Sequence, residues 1–286
     1  MEFPISVWSS YFKCLSPEDA VRDLLAGGFR VAELSTEHSK DLLARGEPEK
    51  VGRALKAYAD AQGFSFPQGH LNVENDLCTA KTVDELRQEL DLFAAVGVKA
   101  AVFHVNGGLE LPEDEREARR VESLRTLAEH ARGSGVTICL ENLMSDSAVH
   151  SIDGILHIIG LTGCDDLGVC LDTGHLHKVV GCGLATTSQL EFIRAAGPRL
   201  KALHVNDNIA TNHDLHNMPF SSKKPLNWGE VMTGLREIGY KGLFNLEIPG
   251  ESHAPLTVRR MKLDYIRRLC EYMMTDEFLA EFTVKP

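Results

Sequence analysis

The chain is expected to form a single (β/α)8 barrel, and three observations lead to that expectation. Eight short, apolar, β-rich segments recur along its 286 residues, at 3–8, 30–35, 64–70, 98–105, 136–142, 167–172, 200–205 and 242–248. Amphipathic stretches separate them without a break, the alternation expected of βα units around a parallel sheet. An open doubly wound sheet would want a glycine-rich phosphate turn after its first strand, and WSSYFKCLSP stands there instead. Single barrels commonly run to about 250 residues. With no linker or low-complexity run in sight, residues 1–286 read as one domain.

Local signals support the elements in turn. After the first strand, Ser16-Pro17-Glu18-Asp19 predicts a helix cap with proline at the first helical position and acids in the first turn. Over 82–97, Val83, Leu86, Leu90 and Phe93 recur at three and four residues, with Glu85, Arg87 and Glu89 assigned to the opposite face. The last long helix repeats the pattern with Val258, Met261, Tyr265, Leu269 and Tyr272. Gly63, Gly97, Gly135, Gly160 and Gly239 each fall between a helix and the next strand, where glycine can stop a helix.

Composition narrows the functional classes. The net charge of −11 comes from acids spread along the chain, and such a surface repels phosphate backbones, so a nucleic-acid partner is not expected. No run approaches the ~20 apolar residues of a membrane span. The start, MEFPISVWSS, shows neither a basic n-region nor a long apolar h-region. Seven scattered cysteines, without a CxxC pair, favour a reducing cytoplasm over a disulfide framework.

The chemistry is written at the strand ends. KAAVFH, VTICLE, LGVCLD, LKALH and LFNLE finish on His104, Glu141, Asp172, His204 and Glu247. Barrel strands deliver their C-terminal residues to one mouth. Burying three acids there without a cation is costly, and a divalent metal resolves it. Three carboxylates and an imidazole suit Mn2+, Zn2+, Mg2+ or Fe2+. His70 ends the third strand beside His104, so Glu141 is placed to bridge two ions. His175, three residues past Asp172, and the D-x-H of Asp214 and His216 form a further set. Nine side chains thus sort into one to three metal sites per chain. A solitary acid or histidine at a strand end is more commonly a hydrogen-bonded group, as expected for Glu33 and His38. His177, His213 and His253 read as solvated or supporting, and His130, His150 and His157 as helical. Trp8 is placed to stack on a sugar or to pack the barrel floor. Lys223 and Lys224 sit where barrels often cradle phosphate, or simply on a solvated loop.

These segments, LENL (140–143), GVCLDTGH (168–175), LHVNDN (203–208), DLHNMP (214–219), LNW (226–228) and GYKGLFNLEIP (239–249), resemble the xylose-isomerase-like TIM barrel superfamily. That group contains sugar and sugar-phosphate isomerases and epimerases, inosose dehydratases and isomerases, and endonuclease IV. The epimerase resemblance implies one divalent ion on Glu141, Asp172, His204 and Glu247, the two glutamates moving protons on opposite substrate faces and His175 bonding the substrate. It implies a small polyhydroxylated carbonyl substrate, phosphorylated or not. Those epimerases carry an arginine soon after the HxxD histidine, and NDNIATN has none. The endonuclease IV resemblance implies a three-zinc phosphodiesterase using all nine residues, although NMPFSSKKPLNW lacks that family's glycine-rich segment. A barrel that binds sugar without turning it over is the non-enzymatic alternative.

Overall fold

In the computed structural model, which describes residues 3–74, 76–144, 148–209 and 214–283, every expected strand forms. They are β1 (Ile5–Trp8), β2 (Val31–Leu34), β3 (Ser65–His70), β4 (Ala100–Phe103), β5 (Thr137–Glu141), β6 (Gly168–Asp172), β7 (Leu200–His204) and β8 (Phe244–Leu246). All pair in parallel, in the order β7-β6-β5-β4-β3-β2-β1-β8. The ring closes through Val205, whose N–H donates to Asn245 O at 2.7 Å while its carbonyl accepts from Glu247 N at 3.1 Å. The chain is a (β/α)8 barrel.

The helices that follow the strands are α1 (Pro17–Ala26), α2 (Thr36–Arg45) with α3 (Pro48–Asp60), α4 (Ala80–Val96), α5 (Glu113–Ala131), α6 (Ile152–Thr162), α7 (Thr173–Gly181) with α8 (Gln189–Ala196), α9 (Trp228–Glu237), and α10 (Leu256–Met273) with α11 (Asp276–Thr283). Ser16 caps α1 as its sequence predicts, its hydroxyl accepting from Asp19 N. The main core lies between this helical ring and the outer faces of the strands, where Val83, Leu86, Leu90 and Phe93 of α4 are buried. Each such side chain stabilises the fold by about 1.5–3 kcal/mol. No helix among the described residues is long and apolar enough to cross a membrane.

Three local expectations need correction. Gly160 lies inside α6, which continues to Thr162 and ends on Gly163 at φ +66°, a conformation glycine adopts without the Cβ penalty. Glu89 is buried rather than on the solvent face of α4. On α10, Val258, Met261 and Tyr265 face solvent at 48%, 68% and 57% exposure. The buried stripe is Arg259, Leu263, Ile266, Cys270 and Met273, one position further on and so about 100° around the helix.

Strand alternation explains how the barrel aims its chemistry. Side chains two residues apart share a face. Val102, Cys139, Cys170 and Ala202 form, with Ala100, a small cluster separate from the main core. Each of those four stands two residues before His104, Glu141, Asp172 or His204, so the parity that fills the interior also delivers those four residues inward at the mouth. All seven cysteines are free thiols.

Candidate active site

The nine predicted side chains meet at the C-terminal mouth. Ligand-type atoms of Glu141, Asp172, His204 and Glu247 lie within 4.8 Å of one another. So do those of His70, His104 and Glu141, and those of His175, Asp214 and His216. Glu141 belongs to two of these groups. Its Oε2 lies 2.9 Å from His104 Nε2 and 3.3 Å from His70 Nε2, while Oε1 lies 3.2 Å from His204 Nδ1 and 3.3 Å from His175 Nδ1.

The motif residues between these groups fasten the strand ends together. Asn142 donates from Nδ2 to Asp172 O at 3.0 Å and accepts from Asp172 N at 2.8 Å, joining β5 to β6. Thr173 Oγ1 donates to Asn206 O at 2.7 Å, and Asn206 Nδ2 donates to Asp172 Oδ2 at 2.8 Å, joining β6 to β7. Gly174 is required by proximity, since a Cβ there would collide with Asn206 Oδ1. Asp172 also caps α7 by accepting from His175 N at 2.6 Å. Asn208 donates to Asp214 Oδ1 at 3.1 Å and so holds the D-x-H loop over the mouth. His216 adopts φ +44°, a conformation uncommon for a side chain of its size and one that clusters at functional sites.

Four imidazoles show a common arrangement. One ring nitrogen faces a fixed acceptor: Leu71 O at 2.7 Å for His70, Asn142 O at 2.9 Å for His175, Glu247 O at 3.1 Å for His216, and Glu33 Oε2 at 2.9 Å for His204. A proton on that nitrogen leaves the other nitrogen's lone pair directed at the carboxylates, the way proteins orient metal-binding histidines. His204 Nδ1 and Glu247 Oε2 lie 3.1 Å apart but lack hydrogen-bond alignment, and both are buried. Buried polar atoms left in this state are expensive, and a cation between them would satisfy both. The donor set therefore fits a divalent metal.

Electrostatics tell the same story. Burial raises Glu141 and Glu247, but the surrounding imidazoles outweigh it and hold both well below the ordinary carboxylate range. Burial, reinforced by Glu247 and Glu141 and partly offset by His175, pushes Asp172 up to about 7. Burial disfavours charge on His216, yet Glu247 and Asp214 carry it up to about 12. His175 and His204 are likewise raised well above the usual imidazole value by nearby acids, against the opposing effect of burial. Imidazoles biased toward the cation beside ionised acids are a charge pattern that a bound metal would replace, since coordination displaces ring protons.

Glu33 is the residue whose role the sequence did not disclose. It is fully buried on β2 and reaches both His204 Nε2 and Gln68 Nε2, the latter at 2.5 Å. It therefore fixes the ring of His204 rather than facing the mouth. His38 is a satisfied interior group, bonded to Ser9 Oγ at 2.8 Å and Leu15 O at 3.2 Å. His177 donates to Lys224 O, His130 pairs with Asp91, His157 approaches Glu117 and His253 is exposed. His150 lines a second cavity and not that of the mouth, while His213 falls outside the described residues.

The mouth opens into a cavity of about 640 Å³. Trp8 is part of its wall, not the barrel floor: its ring lies parallel to His216 at 6.1 Å and its N–H donates to Ile248 O at 2.8 Å. Lys223 and Lys224 are exposed and do not line the cavity; Lys40 and Lys178 do.

The chain is 27% identical over 178 residues to the uncharacterized protein y4fM of Sinorhizobium fredii, covering 58% of this chain and about half (52%) of that one. It is 26% identical over 208 residues to a probable endonuclease 4 of Nitratidesulfovibrio vulgaris, covering 67% and 72%. Among solved structures, an L-ribulose 3-epimerase superposes over the full length of both chains with a TM-score of 0.75 at 18% identity. A D-psicose 3-epimerase from Clostridium cellulolyticum H10 gives 0.75 at 17% identity, covering 95% of this chain and 99% of its own. Residues 21–269 match the profile of the xylose isomerase-like TIM barrel family, and the chain belongs to that family.

Proposed function

We propose that the protein is a divalent-metal-dependent isomerase or epimerase acting on a small sugar, sugar phosphate or related polyol ketone. One observation carries the reading: Glu141 and Glu247 approach His204 Nδ1 at 3.2 and 3.1 Å, putting two carboxylates at one cation position beside a cavity of about 640 Å³. That volume suits a small molecule. The names of the relatives and structural neighbours support an enzyme.

A bound dication would supply Lewis-acid stabilisation of negative charge on substrate oxygens. The protein's own groups handle the protons. Both glutamates are ionised at neutral pH, so one accepts the proton from the carbon beside the carbonyl, and the electron pair left behind forms the enediolate. For epimerisation the opposing glutamate takes up a proton from solvent and delivers it to the other face while the first releases its own to solvent. For isomerisation the protonated base returns its proton to the neighbouring carbon as the hydroxyl proton shifts between the two substrate oxygens. His175, which lines the same cavity, is assigned here to hydrogen-bond a substrate hydroxyl. Trp8 offers an aromatic wall to the sugar's apolar face.

A second reading, a metal-dependent phosphodiesterase, is favoured by the completeness of the three side-chain groups and by the relatives named probable endonuclease 4. Incubation in deuterium oxide with a panel of ketoses and inososes separates the two. Carbon-bound deuterium appearing in at least one member supports isomerisation. Failure across the panel, together with nicking of an abasic-site duplex in the presence of zinc, moves the assignment to the phosphodiesterase. Sugar binding without exchange or cleavage would instead mark a barrel that only binds.

A further inference from the structure

The cavity wall contains two lysines in unequal circumstances. Lys40 is paired with Glu74 at 3.1 Å. Lys178 is half-buried on α7, one turn beyond His175, and its Nζ meets Met144 Sδ at 3.4 Å. A thioether is a weak acceptor. Among the described residues no carboxylate forms an ion pair with Lys178, although the chain carries 41 acids against 30 lysines and arginines. An ammonium on the cavity wall whose protein partner is only a sulfur atom is free to take an oxyanion, its strongest complement.

We infer that the substrate carries an anionic group, a phosphate ester or a carboxylate, remote from its reacting carbon, and that Lys178 binds it. The inference rests on the proposed isomerase reading for which end of the substrate reacts. A ligand whose carbonyl end lies at Glu141 and Glu247 has its far end within the same cavity as Lys178. Lys178 is then a specificity-determining residue, favouring charged members of the substrate class over neutral ones.

The test is calorimetric titration of the metal-loaded protein and of Lys178→Met and Lys178→Arg. The probes are inorganic phosphate, D-fructose, D-fructose 6-phosphate and a ketohexonate bearing a terminal carboxylate. A charge-assisted hydrogen bond corresponds to roughly a 10- to 100-fold preference. The wild type is expected to bind at least one anionic sugar about tenfold more tightly than fructose. Lys178→Met should abolish that preference while leaving fructose unchanged, and Lys178→Arg should retain it. Whichever anion is favoured distinguishes ester from carboxylate. Phosphate held by the metals alone would bind the Met variant equally well, and that result overturns the inference, as does the absence of any anion binding. Because no turnover is measured, anion selectivity without deuterium exchange would leave Lys178 assigned and overturn only the isomerase reading.

Discussion

At the scale of single residues, the site is governed by which ring nitrogen each histidine is allowed to use. Glu33 decides this for His204. Glu33→Ala should lower divalent-metal affinity about 10- to 100-fold by freeing the ring, with Glu33→Gln closer to wild type because its amide oxygen still accepts from Nε2–H. Calorimetric titration with Mn2+ and Zn2+ checks this, and equal affinities for wild type and Glu33→Ala would refute the positioning role. The two glutamates at the mouth are expected to differ. Glu141→Gln should lose both metal and turnover, since it removes charge from two groups of side chains at once. Glu247→Gln should lose about 100-fold or more in turnover with a smaller loss of metal affinity; equal losses in the two quantities would argue against proton transfer. The nine strand-end and loop residues were legible because their types recur at equivalent places along the chain. Glu33 was not, because its partner His204 is 171 positions away in sequence and meets it only when β2 and β7 face each other across the barrel.

At the scale of elements, legibility followed the simplicity of the pattern. Four apolar residues suffice to phase α4, yet periodicity treats every glutamate alike and cannot single out its buried acid. Glu89 accepts from Asn72 N at 2.8 Å, and burial, partly relieved by that bond, pushes its carboxyl up to about 7. A raised folded-state value means that the contribution is fully present below the ordinary carboxylate range and is lost as pH climbs through about 7. Ionising Glu89 above that pH costs on the order of 3 kcal/mol. Glu89→Gln, which keeps an acceptor for Asn72, should therefore raise Tm relative to wild type more at pH 8 than at pH 5. Thermal melts at both values decide it, and an unchanged difference would contradict the assignment. The last long helix shows the converse failure. Arg259 is buried, with its guanidinium 4.5 Å from the Phe12 ring centroid and bonded to Tyr11 O. An arginine thus belongs to the buried stripe while Met261 and Tyr265 face solvent, the reverse of what residue type suggests.

At the scale of the whole molecule, one parity rule joins fold and site. The last four strands stand side by side through β5–β6 and β6–β7 pairing and the Val205 seam to β8, so residues from 141 to 247 arrive at one mouth. Eight alternating units were readable from hydrophobic pattern alone, since each strand and its following helix bury opposite faces of the same layers. What pattern could not supply was the contents of the wall: the SSKK loop points attention to Lys223 and Lys224, whereas the cavity is lined by Lys40 of α2 and Lys178 of α7. The central claim is that these converging acids and imidazoles hold a divalent metal. Anomalous scattering from crystals of the purified protein, with elemental analysis of the same sample, tests it most directly. At least one divalent ion per chain is expected between Glu141, Asp172, His204 and Glu247, and it should be lost in Glu141→Gln. A protein that stays metal-free in excess Mn2+ and Zn2+, or that binds its ion elsewhere, would contradict it.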